Sequence, residues 1–106
     1  MSSPTSKLLF HVNILTPLPG RLDDFLAAQL DSVPRLGEVR GLRESRLLGA
    51  EDGSHAIIMS GFESAEAHAE FQNSATFQAE RARLRPLIQA VEPRFYRLIH
   101  ERERLG

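Results

Sequence analysis

The stretch GLRESRLLGAEDGSHAIIMSGF, Gly41 to Phe62, decides the fold. Its first arm alternates Leu42, Glu44, Arg46 and Leu48 against Arg43, Ser45 and Leu47, the period-two pattern of a strand with two unlike faces. Asp52-Gly53 then marks a turn, because type I′ and G1-bulge turns both need a positive φ that glycine adopts without a steric penalty. The second arm, His55 to Phe62, is almost wholly apolar through Ala56, Ile57, Ile58 and Met59. It reads as a central strand buried on both faces.

Upstream, Lys7 to Thr16 is another strand, with Leu8, Phe10, Val12 and Ile14 on one face and Leu9, His11, Asn13 and Leu15 on the other. TPLPG, Thr16 to Gly20, ends it, since proline cannot donate to a central ladder. A helix follows in which Leu22, Phe25, Leu26, Gln29, Leu30 and Val33 trace one face. Asp23 and Asp24 suit its positive N-terminal end, and Pro34 and Gly37 bend or stop it. Downstream of the hairpin, Ser64 is a natural N-cap with Glu66 in the first turn. Asn73 to Thr76 interrupts that helix, and a second segment runs from about Phe77 to Ile88, with Pro86 disturbing its last turns. PRFYRLIH, Pro93 to His100, is the closing strand.

The order β-α-β-β-α-β is the split βαβ, or ferredoxin-like, α+β arrangement: a four-stranded antiparallel sheet with helices on one face. The other face, carrying Phe10, Val12 and Ile14 or their neighbours, is too apolar to remain wet. A second copy is the simplest cover, so a homodimer is expected.

Composition bounds the rest. The 106 residues suffice for one domain, expected over residues 7–100 between a loose N-terminal end (1–6) and a charged tail (101–106). A hydrophobic share of 42% and a charged share of 25% are those of an ordinary globular protein. No apolar run approaches the roughly 20 residues that span a bilayer, and no signal peptide opens the chain. Cysteine is absent, excluding disulfides, thiolate nucleophiles and Cys-ligated metals. A cytoplasmic location is expected, with no membrane partner. With 13 basic and 14 acidic residues interspersed, no basic face forms and no nucleic acid is expected. In ERARLR, Arg81 and Arg85 share a helix side from which Arg83 points away.

Two polar residues stand in apolar elements. Asn13 interrupts its strand, where an amide without partners costs about 1–3 kcal/mol. Arg81 lies four residues after Phe77 and three before Leu84, on the stripe continued by Ile88. Either the two face one cavity, or Asn13 bonds locally and Arg81 reaches solvent at the helix edge. His11 is two residues from Asn13 on the same strand face, and is either a general base near neutral pH or a half-buried structural residue. His68, one turn before Phe71 and Gln72, can line the same pocket; His55 and His100 are expected at the surface. The hydroxyl of Tyr96, the only tyrosine, donates a proton to a ligand or anchors its strand. Phe62, Phe71 and Phe77 are pocket wall or core. The four histidines lack metal-ligand spacing, so no metal is expected. No Gly-rich phosphate loop, nucleophile elbow or nucleophile pair is present.

Asn13, then Pro19-Gly20-Arg21 opening a helix, then Gly61-Phe62-Glu63-Ser64, then Phe71 through Ser74 to Phe77 together resemble the antibiotic biosynthesis monooxygenase (ABM) domain over residues 8–100. The resemblance implies a dimeric α+β barrel in which each subunit keeps a pocket between helices and sheet. It implies one of several activities: cofactor-independent oxygenation of quinols or anthrone-like polyketides, haem degradation, or isomerase-like chemistry. Asn13 falls where the haem-degrading branch keeps a strand Asn, but that branch's helix Trp corresponds to Phe71 and its haem-ligating His to Arg81. Arginine does not ligate iron. The helix His of the autoinducer-processing branch is replaced by Gln72.

The resemblance therefore favours a cofactor-independent monooxygenase of a small aromatic, quinol-like molecule. In it His11 or His68 would be the base, Asn13 and Arg81 would hold the anion, and Ile58, Phe62 and Phe71 would exclude water, with Gln72 and Tyr96 also against the substrate. The alternative is a non-catalytic small-ligand binding protein on the same scaffold.

Overall fold

The computed structural model describes residues 8–102; residues 1–6 (the expected loose end), Lys7 at the expected start of the first strand, and the last four residues of the charged tail lie outside the described residues. The elements are β1 (Leu9–Pro17), α1 (Leu22–Leu36), β2 (Leu42–Gly49), β3 (Ala56–Phe62), α2 (Ala65–Gln72), α3 (Ala75–Leu84) and β4 (Ile88–Arg97). They form one antiparallel sheet in the order β2-β3-β1-β4, a ferredoxin-like α+β fold.

The hairpin connection is six residues, Ala50 to His55. Gly53, at φ 79°, donates to the carbonyl of Ala50, and the Asp52 carboxylate accepts from the backbone and hydroxyl of Ser54 at 3.0 and 2.6 Å. Gly41 has a second requirement. At φ +81° it carries the chain into β2, and a Cβ there would lie 2.6 Å from that of Ala67, so β2 and α2 approach this closely only over glycine.

Register assigns the two faces of the sheet. Phe10 lies opposite Gly61 and Tyr96, Val12 opposite Met59 and Arg94, and Ile14 opposite Ile57 and Glu92. Directly opposed residues share a face. A Cβ on Gly61 would meet the Phe10 ring at 3.0 Å, which confirms that this set points one way. His11, Asn13 and Leu15 point the other way, toward the helices, as expected. There Leu15, Leu22, Phe25 and Ala56 form the buried core, with Leu26, Leu47, Ile58, Leu87 and Ile88 packed against it. β3 is central as expected, but its residues 57–60 are only half-buried, because no element among the described residues covers the outer face at Ile57 and Met59, and Ile58 and Ser60 face a cavity.

The helix after Ser64 breaks at Asn73-Ser74, as expected. Ser64 and Ser74 each cap the helix they precede, accepting from Ala67 N at 3.1 Å and Phe77 N at 3.2 Å. The end of α3 differs from expectation. Pro86 sits in a single 3-10 turn, Arg85–Leu87, so Ile88 opens β4 instead of closing a helix. β4 thus begins five residues earlier than Pro93. It is an edge strand, where a proline costs the sheet no central hydrogen bond.

A polar clamp joins α1 to α3. Fully buried Ser32 donates to the Glu80 carboxylate at 2.8 Å and accepts from Arg83 Nη2 at 2.6 Å. Arg83 also donates to the Ala28 carbonyl and to Glu80, which Arg35 approaches at 3.8 Å. The hydrogen bond from Ser32, with support from Arg83, holds the Glu80 carboxyl below the usual carboxylate range. Arg83 does point away from Arg81, and its destination is α1.

Candidate functional site

Between the sheet and the ends of the three helices lies a cavity of about 440 Å³. The inner wall comes from β1 and β3. Period-two alternation sends His11 and Asn13 of β1 and Ile58, Ser60 and Phe62 of β3 into it. α2 supplies His68, Phe71 and Gln72, three positions that share one helix side. Phe77 closes the α3 side, and Leu30 and Val33 of α1 form part of the rim. These two belong to the expected apolar stripe of α1, yet they are 62% and 58% exposed, because the cavity occupies the space where core would otherwise meet them.

The two histidines meet. Their ring centroids are 4.6 Å apart, and the Phe95 ring lies 5.1 Å from His11 and 4.8 Å from His68, edge-on to the latter. Phe62 meets His68 edge-on at 5.2 Å. Aromatic surroundings strip water from the imidazoles and disfavour their charged forms. Burial lowers the His68 pKa, and burial followed by repulsion from His68 lowers that of His11. Both are neutral at pH 7, each able to accept a proton. Beside them, Asn13 Oδ1 is buried without a hydrogen-bond partner among the described residues. An unpaired buried acceptor costs about 1–3 kcal/mol. A fold retains such a group where something else uses it.

Of the residues expected at the site, His11, Asn13, Ile58, Phe62, His68, Phe71 and Gln72 line this one cavity. Arg81 and Tyr96 do not. Arg81 is exposed on α3 and absent from the cavity wall, because the inward stripe of α3 runs Phe77, Glu80, Leu84, with Glu80 drawn in by Ser32. The expectation that Asn13 and Arg81 share a cavity is corrected accordingly. Tyr96 stands opposite Phe10 on the outer face of the sheet and is 49% exposed. Its neighbour Phe95 takes the inward position. Phe95, Gln29, Ser45 and Ser60 were not among the expected site residues. Gln29 lay on the expected inward face of α1, and Ser45 and Ser60 pair across β2 and β3, so only the register was needed to find them.

The sequence pattern of the antibiotic biosynthesis monooxygenase family matches residues 9–83, and the chain belongs to that family. A comparison with curated proteins found no match. Solved structures share the fold. SnoaB, a cofactor-independent oxygenase from Streptomyces nogalater seen as a point variant, is 16% identical, with a TM-score of 0.78 over 90% of this chain and 96% of its own. A Bordetella bronchiseptica protein named for the same family is 18% identical, with a TM-score of 0.78 over 89% of this chain and 99% of its own. Rv0793 of Mycobacterium tuberculosis is 18% identical, with a TM-score of 0.75 over 91% and 99%. No helix among the described residues is long and apolar enough to cross a membrane.

The histidine pair carries a pH signature. Both groups have folded pKa values below the ordinary 6.5, so the unfolded chain takes up protons first as pH falls. Their contribution to stability is intact above about pH 6.5 and is lost as pH drops through the lowered folded values. Urea unfolding between pH 7.5 and 5 is expected to show falling stability, with a shallower fall in the His11→Phe, His68→Phe double variant. An equal slope in the two proteins would contradict the assignment.

Proposed function

We propose that the protein is a cofactor-independent monooxygenase of a small aromatic, quinol- or anthrone-like substrate. The observation that carries this reading is the contact between two neutral imidazoles, beside an Asn13 Oδ1 without a hydrogen-bond partner among the described residues, at the wall of a cavity lined mainly by rings and aliphatic side chains. Family membership and the fold shared with the oxygenase SnoaB support it.

In this reading His11 or His68 takes a proton from the substrate, and the partner imidazole 4.6 Å away, being neutral, adds no opposing charge. The Asn13 amide turns its N–H toward the developing oxyanion. The deprotonated substrate passes an electron to O₂, the two radicals combine to a peroxide on carbon, and loss of water leaves a carbonyl. For an anthrone-type methylene the balance is CH₂ + O₂ → C=O + H₂O. All four electrons come from the substrate carbon, so no further reductant is consumed. Ile58, Phe62 and Phe71 keep bulk water from the intermediate.

One observation favours the ligand-binding alternative. With Arg81 outside, no Lys or Arg among the described residues lines the cavity to hold an anion. Oxygen uptake by metal-free protein with a panel of quinols and anthrones separates the two. The His11→Phe, His68→Phe double variant is expected to lower uptake about 100-fold or more, the scale of a lost general base, and Arg81→Ala to leave it unchanged. Uptake that survives the double variant, or none with any substrate, would overturn the oxygenase reading.

The same proposal includes a homodimer. Phe10, Val12, Ile14, Ile57 and Met59 form a half-buried apolar strip on the outer sheet face, bordered by Glu44, Arg46, Glu92 and Arg94. Charges of both signs around an apolar centre suit a self-complementary twofold contact. Light scattering is expected to give twice the 11.9 kDa chain mass, and Val12→Lys to give the mass of one chain. A wild-type protein of single-chain mass would refute it.

A further inference from the structure

Among the described residues, the cavity wall contains no Asp, Glu, Lys or Arg. Its polar groups are amides, hydroxyls and the two imidazoles, with Asn13, Gln29 and Gln72 reaching it from three different elements. Charged side chains stop at the next feature outward. A separate groove of about 260 Å³ shares Leu36, Val39 and Phe71 with the cavity, and its own lining includes Glu38, Arg40 and Glu70. A wall of three apolar residues therefore separates a charged outer groove from an uncharged interior.

An anionic ligand entering this interior would lose its hydration and meet no counter-ion. A hydroxyl meets the opposite situation, because the Asn13 carbonyl oxygen has no donor among the described residues and the amide, held by no other hydrogen bond among them, can turn either end to a ligand. A site with an unpaired polar group discriminates strongly in favour of the ligand that pairs it. We propose that the cavity selects an uncharged aromatic ligand bearing a hydroxyl, with Asn13 as the specificity-determining residue, and rejects the carboxylate analogue of the same ring system. This deepens the proposed function and rests on its reading of the cavity as an aromatic-ligand site. The lowered pKa values of His11 and His68 agree with it, since neutral imidazoles offer a carboxylate no charge.

The test is calorimetric titration of the full chain with naphthol, naphthalene and naphthoate at about pH 7.5, where a phenolic hydroxyl is protonated and a carboxyl group ionised. Naphthol is expected to bind most tightly and naphthoate at least about tenfold more weakly. In Asn13→Leu, naphthol is expected to fall to the affinity of naphthalene, with naphthalene itself unchanged, which also reports that the variant cavity is intact. The wild-type ranking stands as a test on its own should that variant not fold. Naphthoate binding as well as naphthol, naphthol no better than naphthalene, or no binding of any of the three would overturn the inference. Calorimetry does not read turnover. The expected ranking without oxygen uptake would keep this inference and remove the oxygenase reading, and uptake with the ranking reversed would do the opposite.

Discussion

Everything in this structure depends on β1 being hydrogen-bonded on both sides, to β3 and to β4. A strand fixed on both edges cannot slip by one residue without turning every side chain to the wrong face. His11, Asn13 and Leu15 are thereby committed to the helix side, and Phe10, Val12 and Ile14 to the outer side. The same ladders carry that alternation into the neighbours, placing Ile58, Ser60, Phe62 and Phe95 inward and Met59 and Tyr96 outward. One short strand thus sets both the polar wall of the cavity and the apolar outer face of the sheet.

The helices complete the site through an unusual division of labour. The core proper, around Phe25 and Ala56, is small and sits at the end of the sheet near Leu15. Toward His11, packing gives way to the cavity, and α1 is held to α3 by Ser32, Glu80 and Arg83. Placing the charges in that interhelical clamp and around the outer groove leaves the cavity wall, among the described residues, uncharged. Its titratable groups are then the two imidazoles, whose charged forms desolvation disfavours.

The sequence carried most of this where the signal was local. The turn at Asp52-Gly53, the cap at Ser64, the interruption at Asn73 to Thr76 and the alternation in β1 are properties of neighbouring residues, and each is present. His68, Phe71 and Gln72 were legible for the same reason, since their spacing alone puts them on one helix side. The two misplaced residues needed information from elsewhere in the chain. On α3, Glu80 and Arg81 both lie within a turn of Phe77 and Leu84, and the choice between them is made by Ser32, 48 residues away. On β4, whether Phe95 or Tyr96 faces inward follows from the pairing of Tyr96 with Phe10. Pairing of residues so far apart leaves no trace in hydrophobic periodicity.

The central claim is that this cavity lets an aromatic substrate react directly with dioxygen. Mass analysis of the product formed under isotopically labelled O₂ in unlabelled water, with metal-free protein and an anthrone substrate, tests it most directly. The account predicts one labelled oxygen atom per product molecule, the other leaving as water. Product oxygen drawn from the solvent, or product formed equally without the protein, would contradict it.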